Sequence, residues 1–185
     1  MAVTELPKSK TLDMVYIAMF AILIAVCAWI SIPAAVPFTL QTFGIFVTVG
    51  ILGGRRGTLS VLIYLLLGII GIPVFAGFKS GLGVLMSNTG GYLLGFLLIA
   101  LLMWAMEKAL GKKTWVLALS MVLGLFVCYI FGTAWFMVVY AKSAGEIGIW
   151  TVLGWCVIPF VVPDLVKIAL ALLICNRLAK VIRIN

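Results

Sequence analysis

Long uncharged runs constrain this chain more than anything else in it. Residues 14–32 carry no charged side chain, and the same holds for 38–54, 57–78, 80–106, 114–141 and 147–163. Crossing the hydrocarbon core of a bilayer takes about 20 apolar residues in a helix. Of the 185 residues 65% are hydrophobic and 10% charged, whereas soluble domains sit near half and a quarter. The reading is an all-α integral membrane protein, a single membrane domain over residues 1–185. A polar cytoplasmic N-terminus at 1–12 precedes a six-helix bundle over about 13–180. The six spans are expected near 14–32, 38–53, 58–70, 88–107, 115–140 and 163–178. Two prolines break the chain at 31–37 (SIPAAVP), and Gly53–Gly57 is expected to be a tight turn. The run 149–160 is too short to span and is expected to cap the bundle or lie at its surface. Pro163, a residue favoured at a first helical position, is expected to open the last span.

The net charge of +8 is read as topology rather than as a nucleic-acid footprint. With the N-terminus inside, the inner connections hold Lys8, Lys10, Arg55, Arg56, Lys108, Lys112, Lys113, Arg177, Lys180 and Arg183. The outer ones hold only Lys79 and Lys142. Lysine and arginine bias sets orientation, so both termini are expected in the cytoplasm. The polar lead runs into an apolar stretch far longer than a signal h-region, so no cleavable signal is expected.

Residues 68–95, between the third and fourth spans, could not cross a bilayer by themselves. Gly77, Gly81, Gly83, Gly90 and Gly91 punctuate them, together with Pro73, Lys79, Asn88 and Thr89. Glycine lets backbone approach other groups closely, and irregular backbone at membrane depth survives only against protein or a wet cavity. A glycine-rich extracellular loop that closes over a small ligand is the expectation.

Asp164 and Lys167 lie three apart at the mouth of the last span, on one helix face. Intramembrane charges are costly and mark function by default. Either the two neutralise each other, or they face a cavity in which Lys167 meets an anionic group and Asp164 accepts from N–H donors. Asn88 and Thr89 precede a helix, where they either cap it or contact a ligand together with the amides of Gly90 and Gly91. Thr39 and Gln41 have the same two readings. Phe75, Phe78, Trp150 and Trp155 are either interfacial anchors or rings that stack on a ligand. Ala18, Ala21, Ala25 and Ala28 form a small-residue strip on the first span, suited to internal packing or to a partner subunit.

Absences narrow the chemistry. Without histidine the chain can assemble neither a Ser-His-Asp triad nor H-E-x-x-H zinc chemistry nor His-ligated haem. The four cysteines, Cys27, Cys128, Cys156 and Cys175, stand singly in apolar runs, so no metal site or disulfide framework is read from them. No Walker A loop is present, and no cofactor is expected.

Several segments together resemble one known family. VPFTLQT (Val36 to Thr42), GxRRGxLSVLxYLLLGxxGxPVFAG (Gly54 to Gly77), GLGVL (Gly81 to Leu85), TGGYLLGF (Thr89 to Phe96) and PDLVK (Pro163 to Lys167) are similar to the BioY family. These are the biotin-specific S components of energy-coupling factor (ECF) transporters. The resemblance implies a six-helix prokaryotic plasma-membrane protein, not an enzyme, that captures biotin from outside. It further implies work with an ECF coupling membrane subunit and two ATPase subunits, and delivery of substrate by toppling in the membrane. Asp164 and Lys167 look like ligand contacts, as do the outer segments carrying Phe75, Gly77, Gly81, Gly83 and Tyr92. The alanine strip resembles the surface that meets the coupling subunit. The chain departs from the family at Ser87-Asn88, commonly Gly-Pro, and at Val162-Pro163, often a proline-glycine step. Biotin's ureido N–H groups suit Asp164, its carbonyl suits Asn88, Thr89 or backbone amides, and its carboxylate finds its nearest cation in Lys167. The alternatives are an S component for thiamine or riboflavin, or a membrane enzyme acting on lipid. Against the enzyme stands the single intramembrane carboxylate, Asp164, which leaves acid–base chemistry short of a second group.

Overall fold

The computed structural model describes residues 10–33 and 36–179. Most of the polar lead at 1–12, and the basic residues Lys8, Lys180 and Arg183, lie outside the described residues. Helix α1 is Lys10–Trp29. A two-residue hairpin follows, with β1 (Ser31–Ile32) antiparallel to β2 (Phe38–Thr39) in the register Ser31↔Thr39. Then come α2 (Gln41–Leu52), α3 (Gly54–Ile69), a single 3₁₀ turn at Ala76–Phe78, the short α4 (Leu82–Leu85), α5 (Gly90–Leu110) and α6 (Thr114–Ala144). The chain ends in α7 (Ile149–Cys156) and α8 (Ile158–Ala179).

Four stretches are long and apolar enough to cross a membrane, namely Lys10–Trp29, Gly90–Leu110, Thr114–Ala144 and Ile149–Leu178. The second and third expected spans come out shorter. At 1.5 Å per residue, the 12 residues of α2 and the 16 of α3 reach about 18 and 24 Å, short of a bilayer core of about 30 Å. Interior position explains α2, since most of its residues from Gln41 to Leu52 are buried among neighbouring helices.

Two boundaries differ from expectation for local reasons. Gly53 alone (φ 79°) joins α2 to α3, because Glu107 from α5 accepts a hydrogen bond from the first amide of α3, that of Gly54. A carboxylate there satisfies a donor the helix cannot, so the expected five-residue turn shrinks to one residue. Pro163 sits inside α8 rather than at its start. The helix begins at Ile158 instead, and Pro159 is the proline of its first turn. The run expected to cap the bundle is α7, with Val152 and Cys156 buried in the core.

Close approach of α5 and α6 forms the largest helix contact. A side chain at Gly91 or Gly95 of α5 would strike Trp135 or Cys128 of α6, and one at Gly132 of α6 would strike Tyr92. Charged contacts gather at one end of the bundle. Arg56 pairs with Asp13 at 2.8 Å and Lys112 with Glu107 at 3.4 Å. The hairpin, the loop from Ile70 to Thr89 and α7 lie at the other.

The main-chain carbonyl of Leu85 occupies the space a methyl group at Gly90 would need. Gly90→Ala should therefore cost about 1–3 kcal/mol, as overpacking does. Gly154→Ala, in a helix with no neighbour against that position, should be neutral or stabilising by up to about 1 kcal/mol. Thermal unfolding of the two variants in detergent checks the contrast.

Candidate functional site

Asp164 and Lys167, on α8, are 2% and 5% exposed, and three other elements converge on them. The Lys167 ammonium donates to Asp164 Oδ1 at 2.7 Å and to the main-chain carbonyl of Thr39, in β2, at 2.7 Å. It also stands 4.3 Å from the centroid of the Phe38 ring, a cation–π contact. Thr42, in the first turn of α2, donates to Asp164 Oδ1 at 3.0 Å, and Tyr129 of α6 donates to Asp164 Oδ2 at 2.6 Å. A lysine has three N–H donors, and a carboxylate has about four acceptor positions. Lys167 therefore has two donors engaged and a ring against its ammonium, while Asp164 keeps one acceptor position on Oδ2.

A small cavity of about 50 Å³ opens against the pair, lined among others by Tyr129, Phe160, Cys128 and Cys156. Val36, Pro37, Thr39, Tyr92 and Phe96 also line a second cavity of about 230 Å³ beyond it, so the two form one cleft. Thr39 and Gln41 make its polar floor, and the buried Tyr64 anchors Gln41. Thr39 Oγ1 donates to Gln41 Oε1 at 2.9 Å, and Gln41 Nε2 donates to the Tyr64 hydroxyl at 2.6 Å. The roof is the glycine-rich loop through Phe75, Ala76, Lys79, Gly83, Ser87 and Thr89. A larger cavity, about 450 Å³, opens at the charged end. Its polar groups largely satisfy one another: Glu107 is held by Gly54 and Lys112, and Thr114 donates to Asn176 at 3.2 Å. The buried ions single out the smaller cleft.

The roof is braced rather than loose. The Phe75 ring is buried edge-on to Tyr64 with centroids 5.7 Å apart, filling the space that a side chain at Gly68 would take. Gly81 N–H donates to Gly68 O at 2.7 Å, and Phe75 N–H to Lys79 O at 3.0 Å. Phe78 takes a left-handed φ of 58°, which for a bulky residue costs about 1–3 kcal/mol. Its ring stacks on Trp29 at 5.2 Å, and the Trp29 indole N–H donates to Pro73 O at 2.9 Å. The end of α1 thus holds the loop in shape.

Of the sequence-predicted ligand residues, Asp164, Lys167, Thr39, Gln41, Tyr92, Phe75, Gly83 and Thr89 line the cleft. Gly77, Gly81, Asn88, Gly90 and Gly91 do not. Gly90 and Gly91 are buried against Leu85 and Trp135 instead. Thr89 makes no side-chain capping bond; its hydroxyl meets that of Ser87 at 3.3 Å. The alanine strip divides. Ala21, Ala25 and Ala28 are buried in the chain's own core, where α1 packs on α2 and α3, and Ala18 alone is exposed. Internal packing is what those three alanines do, which leaves them no surface for a partner in this structure. Phe78 stacks on Trp29, not on the cleft, and Trp150 is exposed. Sequence reasoning missed Tyr129 and Phe38. A tyrosine within a long apolar helix and a phenylalanine in a proline-rich break carry no local mark; only the fold brings them to Asp164 and Lys167.

The family model described as the BioY family matches residues 3–184. A biotin transporter BioY from Thermotoga maritima is 44% identical over 164 residues, covering 87% of this chain and 92% of that protein. A probable biotin transporter BioY from Pyrococcus horikoshii is 38% identical over 170 residues, covering 91% and 97%. A crystal structure of the S-component for biotin from an ECF-type ABC transporter is similar with a TM-score of 0.82 at 26% identity, covering 96% of this chain and 95% of that one.

Removing one member of a buried ion pair costs about 3–5 kcal/mol, because it strands the other charge. Lys167→Met and Asp164→Asn should each destabilise by that order. The double variant should cost clearly less than the two losses added. Denaturation midpoints of all three proteins in detergent measure the coupling.

Proposed function

This chain belongs to the BioY family, and on that premise we propose that it is the substrate-binding membrane component of a biotin uptake system. It captures biotin from the outer face and passes it inward with an ECF coupling membrane subunit and two ATPase subunits. It is a transporter component and not an enzyme. The observation that carries the reading is the cleft, in which a buried carboxylate with one acceptor position left over lies beneath a braced glycine-rich roof. Biotin's ureido ring offers N–H donors for Asp164 Oδ2, and its carbonyl suits the hydroxyls along the cleft. The thiophane ring and valeryl chain suit the apolar walls of Val36, Tyr92 and Phe96. A mostly apolar cavity with a few convergent polar groups is the usual form of a small-ligand site.

The same reading places α1, α2, α3, α5, α6 and α8 as six membrane-crossing helices. The hairpin above α2 and the loop beyond α3 make up the length those two lack. The charged end, with Arg55, Arg56, Lys108, Lys112, Lys113 and Arg177, faces the cytoplasm of a prokaryotic cell, where lysine and arginine concentrate. Both termini then lie inside and the cleft opens outside. The surface for the coupling subunit includes Ala18 and the exposed Met14, Met19 and Ile22 of α1.

Titration of the purified chain in detergent with biotin, thiamine and riboflavin should give saturable binding and a thermal shift for biotin alone. A shift with thiamine or riboflavin and none with biotin would overturn the reading. Asp164→Asn in the Lys167→Met background, which avoids a stranded charge, should weaken biotin binding by roughly ten- to a hundredfold, given about 1.5–3 kcal/mol for a hydrogen bond to a charged group.

A further inference from the structure

Resting on the biotin reading, the geometry points to Lys79, and not Lys167, as the partner of the ligand's carboxylate. Two donors of Lys167 are already directed, at Asp164 Oδ1 and at the Thr39 carbonyl, and the Phe38 ring stands 4.3 Å from its ammonium. A carboxylate could reach that ammonium only by displacing one of them from a nearly dry site. It would also have to stand beside Asp164, a like charge. Lys79 is the one charged side chain lining the 230 Å³ cavity, and its ammonium has no ion pair or hydrogen bond among the described residues.

Position and rigidity agree with this role. Lys79 closes the 3₁₀ turn whose two ends are tied by the Phe75 N–H···O Lys79 bond. Just before it, Phe75 is sunk against Tyr64 and Phe78 is clamped on Trp29. The lysine stem therefore springs from a fixed backbone at the cavity mouth while its ammonium stays exposed. A ligand with an N–H-bearing head and an anionic tail fits only one way round. The head goes down to Asp164, and the tail comes up to Lys79. The polarity of the cleft thus selects an acid-tailed ligand, and it does so with a residue of the roof.

The test compares biotin with its tail amide, titrated into the full chain and into Lys79→Gln and Lys79→Glu. Lys142→Gln serves as control, since Lys142 is exposed and lines neither cavity. The wild-type chain should prefer biotin to the amide by roughly three- to tenfold, a preference that shrinks with salt because an exposed cation is screened. Lys79→Gln should abolish the preference by weakening biotin alone, and Lys79→Glu should reverse it. Lys142→Gln should leave it intact. Equal affinity of the wild type for acid and amide would overturn the assignment, as would a preference that persists in Lys79→Gln or an equal loss of both ligands. Failure of the wild type to bind either ligand would instead overturn the biotin reading itself.

Discussion

The fold is arranged around one buried ion pair. Taking a carboxylate and an ammonium out of water costs several kcal/mol per ion, and mutual attraction offsets this only when further hydrogen bonds complete the site. Here Thr42 from α2, Tyr129 from α6, the Thr39 carbonyl and the Phe38 ring from the hairpin complete it. They come from three parts of the chain besides α8, so the pair can be satisfied only when the hairpin, α2, α6 and α8 are all in place. The pair is weak evidence for stability and strong evidence for arrangement. Its neighbours must be where they are because the charges are where they are.

The roof obeys a second constraint. Backbone without regular hydrogen bonding has to be satisfied locally in a membrane protein, and residues 70–89 manage this with short-range bonds and two aromatic clamps. Phe78 shows the logic. Its left-handed backbone is unfavourable by itself, and the stack on Trp29 accompanies the indole bond to Pro73. A loop held so firmly can present side chains to the cleft with little loss of freedom when a ligand arrives, which is the physical meaning of preorganisation.

Much of this was legible in the sequence, and the illegible part has a pattern. Uncharged runs gave away the helical membrane fold, and three-residue spacing put Asp164 and Lys167 on one helix face. The glycine-rich stretch was readable as mostly irregular backbone because its composition suits no long regular element. What sequence could not supply were contacts between distant segments. Tyr129 reaches Asp164 across 35 positions and Thr42 across 122, and neither announces it locally. Gly53 as a one-residue turn was hidden because its cause, Glu107, lies on another helix. Pro163 misled for a related reason: Pro159 already supplied the first-turn proline, so the helix began earlier. The alanines of α1 were ambiguous by nature, since a strip of small side chains suits an internal neighbour as well as an external one.

The brevity of α2 has an electrostatic consequence. A helix of 12 residues, buried on nearly every side, begins in the middle of the protein rather than at a membrane surface. Its aligned peptide dipoles leave roughly half a positive charge at that beginning, and Thr42, in the first turn, touches Asp164. The carboxylate therefore sits in a positive field that does not depend on Lys167 and that no arriving solute can displace.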